Sequence, residues 1–132
     1  MPVRVYLEDT DAGGIVYHAS YLRFMERART EWLRARGIGL DEWQKRQRRL
    51  FVIRSMTADW LKPARFDERL AVRVDLTALK RASVVLEQSV LRGEDTLVRA
   101  AVQLACVDAD KLSNGRPAAV AIPQAIREAM TS

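Results

Sequence analysis

The sequence predicts an α+β fold in which antiparallel strands pack against one long helix. Three observations lead to this prediction: alternation over residues 3–8, helical spacing of apolar residues over 18–36, and further alternating segments over 50–107. Alternation with a period of two is typical of half-buried strands, and apolar residues three and four positions apart are typical of an amphipathic helix. A strand, a long helix and a series of strands is an α+β order.

The first strand and the long helix follow from side-chain spacing. The strand is predicted from Val3 to Glu8, with Val3, Val5 and Leu7 on one face. The helix is predicted from His18 to Arg36, where glycine at 37 ends it. Its apolar stripe comprises Tyr21, Met25, Ala28 and Trp32, widened by Leu22, Phe24 and Leu33. The pairs Glu26–Arg29 and Arg27–Glu31 have the spacing of ion pairs on an exposed helix face.

The remaining elements are shorter or alternate more cleanly. Antiparallel strands are predicted over Leu50–Leu61, Arg69–Leu79, Ser83–Arg92 and Leu97–Val107, with a hairpin turn at 93–96. Short helices are predicted over 41–45, capped by Asp41, and over 124–130, with Pro123 at the first position. Asn114, Gly115 and Pro117 mark a surface turn.

Composition limits the class of protein. A chain of 132 residues with 48% hydrophobic and 30% charged residues is expected to form a single domain over 1–132. No segment has the roughly 18 apolar residues of a membrane span, and no signal peptide is recognised. One cysteine is typical of a reducing compartment, so we expect a cytoplasmic protein. The net charge of +5 favours an anionic partner without identifying it.

The segment between the first strand and the helix carries a motif. It reads Asp-x-x-Gly-x-Val-x-His from Asp11 to His18, followed by Tyr-Leu-x-Phe-x-Glu-x-Ala-Arg from Tyr21 to Arg29. This motif resembles the hotdog-fold acyl-CoA thioesterases of the 4-hydroxybenzoyl-CoA thioesterase group, most closely the Tol–Pal-associated, YbgC-type branch. The resemblance implies a curved antiparallel sheet wrapped around one central helix. It also implies edge-to-edge homodimers, which often pair into tetramers, with active sites at the subunit interface.

Thioester hydrolysis requires a delivered nucleophile and a stabilised oxyanion. A carboxylate can attack the carbonyl or activate water, and the free amides of a helix N-terminus can bind the oxyanion. By resemblance, Asp11 is the catalytic carboxylate. The backbone N–H at His18, with loop amides near Gly14, polarises the carbonyl, and the His18 side chain also contributes. The alternative role for Asp11 is that of a turn aspartate beside glycine, and for His18 that of a polar residue in the first helical turn. Asp9 on the loop and Glu26 on the helix are rival carboxylates.

The substrate's phosphates require cations. Lys80 and Arg81, between two predicted strands, are the best candidates for CoA binding, although they equally fit a solvated hairpin. Arg54, Lys62 and Arg65 are weaker candidates. The basic run 45–49 is either a solvated face or a docking site for an acidic carrier protein or lipid headgroups.

One position departs from the branch pattern. Members of this branch often carry two tyrosines before the acidic loop, and here the second position is Leu7. If that tyrosine contacts substrate in the family, this chain differs in rate or in acyl preference.

The favoured prediction is an acyl-CoA thioesterase without metal or other cofactor. The alternatives are an acyl-carrier-protein thioesterase and a non-catalytic acyl-thioester-binding or scaffold protein of the envelope machinery, in peripheral contact with the inner membrane. Nucleic acid is not an expected partner, because the basic residues are dispersed. Cys106 lies in an apolar strand and is expected in the core, and no nucleotide-binding glycine motif is present.

Overall fold

The computed structural model describes residues 1–115 and 118–132, so the predicted turn residue Pro117 lies outside the described residues. The described elements are β1 (Pro2–Arg4), a 3₁₀ turn (Leu7–Asp9), α1 (His18–Arg34), α2 (Leu40–Gln47), β2 (Arg49–Trp60), β3 (Arg69–Leu79), β4 (Ser83–Arg92), β5 (Asp95–Asp108), α3 (Ala109–Ser113) and α4 (Gln124–Thr131). None of the described helices is both long and apolar enough to cross a membrane.

The strands form one antiparallel sheet in the order β1-β3-β4-β5-β2. A two-residue loop, Gly93–Glu94, joins β4 to β5, and Gly93 adopts the left-handed backbone conformation that such tight turns require. The 12-residue strand β2 lies at one edge of the sheet, and the three-residue strand β1 lies at the other. Among the described strands, none pairs with the outer side of β2.

The sheet curls around α1, which buries most of its apolar stripe against it; Leu22, predicted in the stripe, is 41% exposed. Tyr21, Phe24, Met25 and Ala28 are each at most 2% exposed and pack with side chains from β3, β4 and β5. A second cluster lies where α2 and α4 cover the other end of the sheet and includes Leu33, Trp43 and Cys106. Burial of Cys106 and of the alternate β5 residues from Val98 to Leu104 agrees with the predicted inward face of that strand.

Several predicted details are wrong. Leu7 does not continue the buried face of Val5, because the chain leaves the strand after Arg4 and turns, and Leu7 is 71% exposed. Glu26 and Arg29 form no ion pair, because Arg29 points into the core and donates from Nη1 to Gln88 Oε1 at 3.0 Å. Glu31 pairs with Arg34 rather than with Arg27.

Other differences concern element ends. The long helix ends at Arg34, two residues early, and α2 extends two residues beyond its predicted end, to Gln47. The first long strand covers Arg49–Trp60, one residue earlier than predicted, and β5 begins at Asp95, directly after the tight turn. Pro123 precedes α4 as its N-cap. Helix α3 was not predicted; the Asp108 side chain caps it by accepting hydrogen bonds from the N–H groups of Asp110 and Lys111.

Candidate active site

The acidic loop between β1 and α1 is a small hairpin. Thr10 and Val16 form an antiparallel bridge, and the N–H of Asp11 donates to the carbonyl of Ile15 at 2.9 Å. The N–H of Gly14 donates back to the carbonyl of Asp11 at 3.1 Å. Gly14 has φ +81°, a conformation that strains residues with a Cβ, so glycine is needed for the turn to close. The hairpin fixes the loop directly before the helix.

The Asp11 side chain is exposed and takes part in this turn. Its Oδ1 accepts a hydrogen bond from the N–H of Gly13 at 2.8 Å, which is an Asx-turn contact. Its Oδ2 accepts no hydrogen bond from the residues that the structure describes. The same carboxylate therefore holds the loop with one oxygen and presents the other to solvent.

Asp9, two positions earlier, is held very differently. Only 7% of its surface is exposed, and its Oδ2 accepts from the N–H of Tyr6 at 2.8 Å. The Asp9 carbonyl accepts from the N–H of Tyr17 at 2.8 Å and from the Ser20 hydroxyl at 3.0 Å. Asp9 thus ties the start of the loop to the first turn of α1, and its other carboxylate oxygen, Oδ1, lies 3.7 Å from Arg23 Nη2.

Helix α1 begins at His18 without a side-chain cap. In residues 1–115 and 118–132, no hydrogen bond uses the N–H of His18 or of Ala19. These N–H groups lie at the positive end of a 17-residue helix, where negative charge is stabilised. The exposed His18 ring packs on Tyr17, with centroids 4.3 Å apart, and meets the edge of Trp60 at 6.3 Å.

A cleft of about 360 Å³ opens beside this helix end. His18 and Tyr21 from α1 line one side, and Trp60, Leu61 and the residues that follow β2 line the other. The loop residues Ile15 and Val16 also contribute to the lining, whereas Asp11 does not. One chain therefore brings His18, Tyr21 and Trp60 together and places Asp11 just outside, across the hairpin from Ile15.

The predicted CoA-binding residues lie at the opposite end of the sheet. Lys80 and Arg81 occupy the β3–β4 turn, where the N–H of Lys80 donates to the carbonyl of Ser83. Ser83 is seven positions along β4 from Val90, which is in the same cross-strand row as Trp60. At about 3.3 Å per residue, the turn is roughly 23 Å from the cleft in the same chain.

A third cation joins that turn. The Arg127 guanidinium of α4 donates from Nη1 to the Lys80 carbonyl at 2.6 Å. The sequence did not predict this residue as part of a site, because Arg127 is 47 positions away from Lys80 along the chain and only the fold brings the two elements together.

The weaker cationic candidates are distributed differently. Lys62 lines the cleft, where its Nζ lies 3.2 Å from Asp95 Oδ1, and Arg65 is bridged to the loop residue Ile15. Arg54 lies at the irregularity in the pairing of β2 with β5. In the basic run 45–49, three of the five residues are in ion pairs: Arg46 with Glu42, Arg48 with Asp110 and Arg49 with Asp108. Among the described residues, no three His, Cys, Asp or Glu side chains are grouped to hold a metal ion.

The fold and the site define a class of protein. A five-stranded antiparallel sheet curled around a central helix, with an acidic loop at the N-terminus of that helix, is the hotdog arrangement. The model of the thioesterase-like superfamily matches residues 5–130.

Individual proteins agree with this match. The acyl-CoA thioesterase YbgC of Haemophilus influenzae is 41% identical over 128 residues, which cover 97% of this chain and 90% of that protein. The acyl-CoA thioester hydrolase YbgC of an Escherichia coli O6:H1 strain is 46% identical over 112 residues, covering 84% and 83%. The crystal structure of an Asp-to-Asn mutant of 4-hydroxybenzoyl-CoA thioesterase, complexed with 4-hydroxybenzoyl-CoA, superposes with a TM-score of 0.88 at 22% identity, covering 98% and 96%. The chain therefore belongs to the thioesterase-like superfamily, as a hotdog-fold thioester hydrolase of the YbgC type.

Proposed function

We propose that this protein hydrolyses acyl-CoA thioesters, with the Asp11 carboxylate as nucleophile or general base. The backbone N–H groups at the start of α1 bind the oxyanion that develops on the thioester carbonyl. The observation that carries this proposal is the pair of unused N–H groups at His18 and Ala19, at the positive end of α1 beside the cleft. Removing one oxyanion donor costs enzymes about 100- to 1000-fold in rate. The names of the YbgC relatives supply the acyl-CoA class.

The position of Asp11 supports a role in delivering the nucleophile. Its free Oδ2 is exposed, and the hairpin holds its backbone against Ile15, which lines the cleft. The His18 ring lines the cleft, with its centroid 6.3 Å from that of Trp60, and we propose that it orients substrate or water. Neither group has to leave an internal ion pair in order to act, because neither forms one among the described residues.

We further propose that the working unit is a homodimer formed through the β2 edge, and that two such dimers can form a tetramer. Two β2 strands paired antiparallel would place the Trp60 end of one beside the Arg49 end of the other. The Lys80–Arg81 turn lies at the Arg49 end of the sheet, since Ser83 pairs with Ala105 and Ala105 with Val52. A second protomer would therefore bring its basic turn, with Arg127, to the end that carries the first protomer's cleft. Those cations would bind the CoA phosphates.

The alternative substrate is a thioester on an acyl carrier protein. Its phosphopantetheine arm also ends in a phosphate, which suits Lys80 and Arg81, but docking of an acidic carrier on the run 45–49 would compete with the internal ion pairs of that run. A third possibility is an acyl-thioester-binding scaffold, which would bind without releasing thiol. The proposal includes a cytoplasmic location, from the composition and the single cysteine, and, through the branch resemblance, Tol–Pal association with peripheral contact with the inner membrane.

Thiol release from a matched panel tests these functions. The panel contains short, long and aromatic acyl-CoAs and the same acyl groups on a carrier protein. Saturable release from acyl-CoA supports the proposal, and the acyl group turned over fastest defines the preference. Thiol release from the carrier-linked thioesters alone would show that the substrate is a thioester on the carrier protein rather than an acyl-CoA. Tight binding of thioesters without thiol release would favour the scaffold.

A further inference from the structure

The Tyr21 hydroxyl lies in an unusual position for a core residue. The sequence places Tyr21 in the apolar stripe of α1, and only 2% of the residue is exposed. Yet Tyr21 also lines the cleft, one helical turn after His18. Long helical side chains lean toward the helix N-terminus, so this ring extends back toward the turn that carries the free N–H groups.

The Tyr21 phenol accepts a hydrogen bond within the protein but donates none to the described residues. Its oxygen accepts a hydrogen bond from the N–H of Ala64 at 3.1 Å, in a fully buried contact. The carbonyl of Ala64 in turn accepts from the N–H of Val16 at 2.8 Å, so the oxygen is held against the segment that pairs with the acidic loop. A phenol can also donate one hydrogen bond, and no acceptor for that hydrogen is present among residues 1–115 and 118–132.

The phenol is also held in its donating form. Desolvation by burial raises the pKa of Tyr21 above its usual value, and the contact with Ala64 and the charge of Arg92 only partly oppose this. The hydroxyl therefore keeps its hydrogen at neutral and mildly alkaline pH. A buried donor without an internal acceptor is costly unless a ligand or water accepts from it.

We propose that Tyr21 is a catalytic residue that donates a hydrogen bond to the thioester carbonyl oxygen, beside the backbone N–H of His18. The oxyanion site then consists of the backbone N–H groups at the start of α1 and one side-chain donor, and the proton of Tyr21 stays on the phenol throughout. This inference rests on the proposed function, because it assigns a further donor to the same oxyanion. Its distinguishing consequence is that activity requires the phenol in its neutral form.

The first test removes the hydroxyl. Tyr21→Phe keeps the ring, and we expect kcat to fall about 100-fold on the best acyl-CoA, within the range found for oxyanion donors. Trp43→Phe is the control, since it also keeps an aromatic ring and removes a buried N–H without a described partner, but at the opposite end of the sheet, and it should leave kcat unchanged. Thermal unfolding of both variants measures, separately from activity, the stability that Tyr21→Phe loses with the contact to Ala64. Unchanged kcat in a folded Tyr21→Phe protein would overturn the proposal.

The second test separates donation from support of the fold. Replacing Tyr21 by a fluorinated tyrosine lowers the phenol pKa while keeping an oxygen that accepts from Ala64. We expect kcat to be lost at a lower pH than in the wild type, after subtraction of spontaneous hydrolysis, with thermal stability retained over that range. If the wild type hydrolyses the thioester and both proteins lose kcat at the same alkaline pH, Tyr21 only supports the fold. The thioesterase proposal would then still stand. No turnover by the wild type on any thioester would overturn both.

Discussion

The two ends of the sheet differ in how their apolar side chains are covered: the first end, where Arg49 faces Asp108, packs under α2 and α4, whereas the second end, where Trp60 faces Val98, leaves large apolar side chains exposed. Arg48 binds Asp110, Arg49 binds Asp108, and Trp43 is buried against Phe51 at the first end. At the second end, the His18 N–H and the Tyr21 O–H have no acceptor among the described residues. Six exposed large apolar side chains also come from this end: Tyr6, Leu7, Tyr17, Trp60, Leu61 and Phe66.

Natural proteins break the rules of burial and pairing mainly at functional sites, because satisfied groups are not available to a ligand. The first end therefore stabilises the fold, and the second has the character of a binding surface. The Lys80–Arg81 turn at the first end carries two cations that form no ion pair among the described residues. These cations are the reason we propose that the phosphates of the substrate bind there, across a dimer interface.

The largest effect should come from the two carboxylates of the loop, which differ in their partners. Asp11→Asn removes the charge and keeps the size, and we expect kcat/KM to fall about 100- to 10,000-fold, the usual contribution of such a group. Asp9→Asn is the matched control. An amide oxygen can replace the Asp9 Oδ2 that accepts from the Tyr6 N–H, while loss of the charge weakens the ion pair of Oδ1 with Arg23 Nη2 at 3.7 Å, so the expected change is a modest drop in melting temperature.

Thiol release with the best acyl-CoA, measured beside thermal unfolding, distinguishes the two variants. A folded Asp11→Asn protein as active as the wild type would show that Asp11 serves only the Asx turn with Gly13. A large loss of kcat in Asp9→Asn, with stability unchanged, would transfer the catalytic assignment to Asp9.

The sequence predicted the architecture well because the fold depends on periodic patterns. The bounds of β3 and β4 match the predicted segments, since uninterrupted alternation and a glycine turn define them. The prediction for Leu7 was wrong because a period of two cannot show where the chain leaves the sheet. Arg29 was predicted on the exposed face because i,i+3 spacing to Glu26 does not reveal that Gln88, 59 positions away, offers a buried acceptor.

The candidate site was predictable only in part. The loop and the helix start are local in sequence, so the motif from Asp11 to His18 placed them correctly beside each other. The cleft is not local, because Trp60 and Leu61 reach it through the path of β2. Tyr21 is a further example: its spacing indicated a core residue, which it is, and only the position of Ala64 shows that its hydroxyl has a free hydrogen.

Truncation of a tryptophan should affect stability differently at the two ends of the sheet. Trp43 is 5% exposed and its indole N–H has no partner among the described residues, so truncation removes packing alone. We expect Trp43→Ala to lower the free energy of unfolding by about 3–5 kcal/mol. Trp60 is 49% exposed, and Trp60→Ala should cost about 1 kcal/mol or less while changing KM, because Trp60 lines the cleft. Equal losses of stability in denaturant unfolding would contradict the distinction between the two ends.

The smallest effect should come from the basic turn. Lys80→Ala combined with Arg81→Ala removes two exposed cations, and we expect KM for acyl-CoA to rise about tenfold with kcat unchanged, since phosphate contacts hold substrate and transition state equally. The rise should shrink at high salt, because exposed charges are screened. The control is Lys45→Ala with Arg46→Ala, which removes the same net charge from the basic run and should leave this KM unchanged. Two results together would contradict this prediction: an unchanged KM for acyl-CoA in the Lys80–Arg81 variant, and a raised KM for a carrier-linked thioester in the control variant. The run 45–49 would then be the substrate-docking surface, and the first end of the sheet would recognise a carrier protein.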